Sequence, residues 1–103
     1  MRIKAMAHIT GGGFPGNIPR VLPPGVGVRL DRSAWEVPLI FRLIQEQGQV
    51  DEMEMYQVFN MGIGLALLVS PEEVDQALTA LGDKAVVIGQ AAPWNEGQPR
   101  VRL

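Results

Sequence analysis

The sequence predicts an α/β (α+β) fold, a mixed sheet with helices packed on one face, and three observations carry that expectation. Short apolar runs bounded by Gly, Pro or Asn alternate along the chain with stretches whose apolar residues recur at helical spacing. Helix-start chemistry precedes the helical stretches, most completely in Ser70-Pro71-Glu72-Glu73. A length of 103 residues with 47% hydrophobic content fits one domain, residues 1–103, with ample material for a core.

The elements follow in order. Residues 3–9 are mostly apolar and run into Gly11, which reads as a short buried strand ending at a loop. Asn17 is placed to cap a one- or two-turn helix from Ile18 to Leu22, with Pro19 tolerated in its first turn and Pro23-Pro24-Gly25 ending it. Val26 to Leu30 reads as a second strand. Ser33 and Glu36 have capping-box spacing, but Pro38 would then clash inside the helix. That helix is therefore expected from about Val37 to just before Gly48, with Leu39, Ile40, Leu43 and Ile44 as its core stripe. Asp51 with Glu54 repeats the capping pattern and opens a short helix to about Phe59, which ends in Asn60-Met61-Gly62. A strand is expected from Ile63 to Val69. Ser70 then caps a helix whose Val74, Ala77, Leu78 and Leu81 share one face, with Glu73 completing the box and Gly82 stopping it. Ala85 to Gly89 reads as a strand, "PWNEGQ" as a turn, and Arg100 to Leu103 as a last edge strand.

Composition excludes several function classes. Net charge is −2 with a pI near 5.3, and the nine Lys and Arg are scattered, so no basic stripe exists to neutralise nucleic acid. The chain has no cysteine, which removes disulfides and thiolate metal sites and fits a reducing compartment. The longest apolar run, Ile63 to Val69, is too short to span a bilayer, and the first residues lack a signal peptide's apolar block. The expected location is cytoplasmic, with neither membrane nor nucleic acid as partner.

The candidate chemistry gathers around Gly11-Gly12-Gly13. Three glycines between a strand and a helix start let backbone N–H groups converge on an anion, because no Cβ blocks approach and positive φ is free. The pattern also fits a tight turn or close packing. It is neither a P-loop nor a dinucleotide fingerprint, for the following residues and the glycine spacing are wrong. His8 is a candidate acid, base or phosphate ligand beside its reading as a hydrogen-bonded strand-end residue. Thr10 offers a hydroxyl next to the glycines, or bonds its own turn. Asn60, in a second glycine-bearing turn with Gly62, is either a left-handed helix C-cap or an amide that reads a substrate. Asp51, Glu52 and Glu54 are expected to cap and complement a helix rather than hold a metal. Met53, Met55 and Met61 read as core filler, and Trp35 and Trp94 as packing residues. No nucleophilic triad, zinc spacing or paired carboxylates can be argued.

The strings "AHITGGGFPGNIPRVLP", "FRLIQEQG", "EMYQVFNMGIGLALLVSPEEVDQAL" and "VVIGQ", in order and with a Trp near the start of the second helix, cover nearly the whole chain. Together they resemble the C-terminal half of the aminoimidazole ribonucleotide synthetases, also called phosphoribosylformylglycinamidine cyclo-ligases. The resemblance implies an ATP-dependent ring closure in purine biosynthesis. The amide oxygen of formylglycinamidine ribonucleotide is phosphorylated from ATP with Mg2+, and an amidine nitrogen displaces the phosphate to close the imidazole. It also implies that ATP and Mg2+ are bound mainly by an N-terminal half, with no cofactor expected for this chain alone, and that the chain begins partway into its domain, lacking a first strand and helix. Carried over residue by residue, His8, Thr10, Gly11, Gly12, Gly13 and Asn17 would face a cleft between the halves and hold substrate or phosphate. Asn60 and Gly62 would approach from the second turn; Phe14 and Pro15 carry no assigned role.

Two functional readings result. The first is the substrate-side part of a cyclo-ligase, inactive alone, whose partners are the ribonucleotide, its own N-terminal half and further copies in a homo-oligomer. The second is a free-standing α/β module that binds a phosphorylated metabolite or another protein.

Overall fold

A computed structural model describes residues 2–103. In chain order it contains β1 (Ile3–His8), α1 (Gly13–Asn17), β2 (Val26–Leu30), α2 (Leu39–Gly48), α3 (Glu52–Val58), β3 (Leu65–Val69), α4 (Val74–Leu81), β4 (Gly89–Pro93) and β5 (Val101–Arg102). Single 3-10 turns at Ile18–Val21, Arg32–Ala34, Pro71–Glu73 and Gly82–Lys84 join them. The strands form two sheets. β1 and β3 pair antiparallel, with His8 opposite Leu65 and Ile3 opposite Val69. The other sheet has the order β4-β2-β5 and is mixed, since β2 runs antiparallel to β4 and parallel to β5. The last strand lies at an edge, as the sequence predicts.

Alternation along the strands decides where the core sits. Ala7 and Ile9 are buried with His8 exposed between them, and Val28 and Leu30 are buried around exposed Arg29. Phe14, wholly buried, lies at the centre, edge-on to Trp35 at a centroid distance of 5.7 Å and stacked on Tyr56 at 6.3 Å. Ile18, Met55, Tyr56 and Met61 close around it. Met55 and Met61 are core filler as expected; Met53 is exposed.

Several boundaries differ from the sequence reading, each for a physical reason. A short helix the sequence reading does not contain, α1, opens at Gly13, and the expected segment from Ile18 follows as the 3-10 turn Ile18–Val21 with Asn17 at its N-cap position, though the Asn17 side chain makes no cap bond. Its carboxamide turns back to the carbonyls of the preceding loop instead. The strand expected at Ala85–Gly89 is displaced to Gly89–Pro93, leaving Val86 and Val87 exposed. Pairing decides this, for a Cβ at Gly89 would overlap the Arg29 carbonyl, so only glycine lets the two backbones meet there. Ser70 and Glu73 form no capping box, since the Ser70 side chain makes no cap bond and Glu73 accepts the Arg2 N–H. Asn60 is not the left-handed residue; that conformation falls on Met61, with φ 54°.

The largest departure is α2. It begins at Leu39, with Pro38 as its cap residue, and its apolar stripe faces outward: Leu39 is 67% and Ile40 57% exposed. The half-buried positions are Phe41 and Gln45, about 150° round the helix from the middle of the stripe. Phe41 packs against Phe59 at a centroid distance of 5.6 Å.

Candidate functional site

Two turns meet at one end of the β1–β3 pair. The chain leaves β1 at His8, and the Ile9 N–H donates to the Gly64 carbonyl at 2.9 Å, holding the outgoing strand beside the segment that enters β3. The glycine loop follows, and its three glycines differ physically. At Gly13, with φ 61°, a Cβ would overlap the Tyr56 carbonyl oxygen and lie 3.0 Å from that of Phe59. The Gly13 N–H donates to the Thr10 carbonyl at 3.0 Å. Gly13 is therefore a packing residue that seats the loop on the end of α3. Gly12 needs its φ of 98°, and Gly11 has open space where a Cβ would stand. Among the described residues, neither the Gly11 nor the Gly12 N–H donates to a protein acceptor.

Asn17 fixes the loop from behind. It is buried, and its amide nitrogen donates to the carbonyls of Gly13 at 2.8 Å and Thr10 at 3.2 Å, with Gly11 at 3.4 Å. Its Oδ1 accepts the Thr10 hydroxyl at 3.2 Å. Three loop carbonyls are thus drawn toward one side chain, and the Thr10 proton is engaged inside the loop, leaving its oxygen to accept.

The second turn is closed by Asn60, whose Oδ1 accepts the Gly62 N–H at 2.8 Å and whose carbonyl accepts the Ile63 N–H at 3.1 Å. Among the described residues its amide nitrogen has no protein acceptor. Gly62, with φ 101°, lies against the Pro38 ring, where a Cβ would come 2.5 Å from Cδ. The Trp35 indole N–H donates to the Met61 carbonyl at 3.1 Å, so Trp35 and Phe14 tie this turn to the glycine loop through the core.

The structure accordingly gathers the candidates at one end of the molecule in two roles. His8, Thr10, Gly11 and Gly12 are exposed with half-buried Asn60 and exposed Gly62, whereas Gly13 and Asn17 are buried supports. Trp35 packs as the sequence reading has it, whereas Phe14 and Pro38, which also fix the two turns, had no such role assigned from the sequence. An aromatic directly after a glycine run was the available signal for Phe14.

Elsewhere, burial pushes the Tyr56 phenol above its usual range, reinforced by Glu52 and opposed by Arg32. The Ser33 hydroxyl and N–H hold the Asp31 carboxyl below the ordinary carboxylate value. Asp51 accepts the Met53 N–H at 3.2 Å, which is helix-start chemistry, whereas Glu52 pairs across the fold with Arg32 at 2.7 Å. No group of three or more His, Cys, Asp or Glu among the described residues is arranged to hold a metal ion. A groove of about 530 Å³ between Leu22, Gly25, Trp94 and Arg100 lies apart from the turns. Its Arg100 guanidinium stacks 5.1 Å above Trp94 and donates from Nε to the Val26 carbonyl and from Nη2 to the carbonyls of Leu22 and Pro23. No helix of the described residues is long and apolar enough to cross a membrane.

Fold and turns define a mixed α/β domain with two glycine-bearing turns side by side. The family described as AIR synthase related protein, C-terminal domain, matches residues 1–102, and the chain belongs to that family. It is 50% identical over 93% of its length to the phosphoribosylformylglycinamidine cyclo-ligase of Desulfitobacterium hafniense, covering 29% of that protein. It is 52% identical over 94% of its length to the protein of that name from Caldanaerobacter subterraneus, covering 30% of it. The corresponding protein of Thermodesulfovibrio yellowstonii is 44% identical over 99% of this chain, which covers 31% of the relative. The chain thus spans about three-tenths of the length of the curated relatives it matches.

Proposed function

We propose that the chain is the substrate-side part of a phosphoribosylformylglycinamidine cyclo-ligase, and that the Gly11 and Gly12 amides hold a phosphate group of the substrate. The observation that carries this reading is the pair of N–H groups on exposed Gly11 and Gly12 that have no protein acceptor among the described residues, braced from behind by Asn17. α1 has only five residues, so the loop amides rather than a helix dipole do the holding. His8 stands at the strand end beside them, and the Asn60 amide nitrogen donates from the second turn to an acceptor on the ribonucleotide. Thr10 positions the loop through Asn17.

ATP with Mg2+ supplies the phosphoryl group in the ring closure the resemblance implies. The described residues offer no carboxylate cluster for the metal, so no step is routed through one held by this chain. What the chain contributes is orientation: bringing the amidine nitrogen within reach of the activated carbon is worth several kcal/mol of barrier, of the order found for well-oriented intramolecular reactions, about 7–11.

The test is ring closure by the chain alone and mixed with the part of the Desulfitobacterium hafniense relative it does not match. The expected result is no aminoimidazole ribonucleotide from either piece and ATP-dependent product from the mixture. Turnover by the 103-residue chain alone at the rate of a full-length enzyme contradicts the proposal.

A further inference from the structure

The apolar stripe of α2 points away from the core. Leu39, Ile40, Leu43 and Ile44 are 67%, 57%, 44% and 36% exposed, while Phe41 on the other side packs on Phe59. A run of four large apolar side chains on the solvent side of a helix marks a surface that another polypeptide covers. We propose that this stripe is the docking surface for the rest of the cyclo-ligase chain, an inference that rests on the function proposed above.

Three observations select that occupant. Relatives extend over more than three times the length matched here, so most of their chain lies outside these residues and is large enough to cover a helix face. The stripe begins next to the candidate site: Pro38, the residue before Leu39, touches Gly62. Whatever covers the stripe is thereby placed beside the Asn60 to Gly62 turn and the glycine loop. Lastly, a second copy of this chain would bring no metal-binding carboxylate cluster to that place, because the described residues contain none. The remaining part of the enzyme is the partner that could complete the site. Arg42 and Glu46 carry one charge of each sign on the helix, so the surface selects its partner by shape and apolar area rather than by net charge.

Because the chain has no cysteine, Leu43→Cys places one thiol on the stripe and Arg42→Cys one beside it. Both positions are exposed, so neither change disturbs the core. Each variant is reacted with a maleimide dye alone and with the unmatched part of the Desulfitobacterium hafniense cyclo-ligase, and ring closure is assayed in the same mixtures. The expected result is that the partner slows labelling of the Leu43→Cys thiol by roughly tenfold or more and leaves that of Arg42→Cys near its free rate, since a covered thiol does not react. Restored ring closure with the Leu43→Cys thiol still fully reactive overturns the docking surface and leaves the proposed function standing. A protected thiol without ring closure keeps the surface and overturns the function. Protection that grows with the chain's own concentration, without the partner, assigns the stripe to a second copy and overturns the proposal. No protection and no activity overturns both.

Discussion

At the scale of single residues, the three glycines are three different devices. A Cβ at Gly11 meets nothing within 4 Å and the residue has no positive φ, so Gly11→Ala should leave thermal stability within about 0.5 kcal/mol of the parent. Gly12→Ala must hold φ at 98° and should cost roughly 1 kcal/mol or more. Gly13→Ala drives a methyl into the Tyr56 carbonyl and should cost several kcal/mol, about 3 or more, or prevent folding. Phosphate titration of the folded variants separates the roles, with Gly11→Ala weakening affinity while its melting temperature stays put. Unchanged affinity in Gly11→Ala would show that the loop is packing alone. The sequence shows the glycine run as one cradle. It cannot show that the end of α3 passes directly behind the third glycine, because the residues it meets, Tyr56 and Phe59, lie more than forty positions away in the chain.

At the scale of elements, local chemistry was legible where the chain itself supplies the partner. Asp51 caps α3 because its acceptor sits two residues from the amide it takes, and β2 lies where its Val-Gly-Val-Arg-Leu pattern puts it. Sequence reading failed where a distant partner decides. The stripe of α2 reads as core by periodicity, yet the described residues turn Phe41 inward instead. Apolar periodicity says that a helix face is covered, not by which polypeptide. β4 starts at Gly89 because only there can its backbone approach Arg29, a contact with no local signature. The caps supply a test that separates pattern from geometry. Asp51→Ala should lower stability by about 1 kcal/mol, whereas Ser70→Ala, whose side chain makes no cap bond, should change it by less than about 0.5 kcal/mol. Urea denaturation of the two variants reads this directly, and equal losses would mean that the Ser70 box forms in solution.

At the scale of the molecule, the antiparallel pairing of His8 with Leu65 brings together two turns some fifty residues apart. Phe14, Trp35 and Tyr56 then lock them in one arrangement. The glycine loop and the Asn60 turn were both visible in the sequence as separate motifs, and the resemblance to cyclo-ligases joined them. Their physical adjacency depends on strand pairing and on Gly13, which no local pattern encodes. In the proposed arrangement the Gly11 and Gly12 amides hold a phosphate while Gly13 and Asn17 only support them. The most direct measurement is an amide proton–nitrogen NMR titration of the chain with inorganic phosphate and with formylglycinamidine ribonucleotide. The Gly11 and Gly12 resonances are expected to move furthest and saturate together, with the Asn60 side-chain amide following only when the ribonucleotide is used. Shifts centred on the Trp94 and Arg100 groove, with Gly11 and Gly12 unmoved at saturating ligand, would contradict the proposed arrangement.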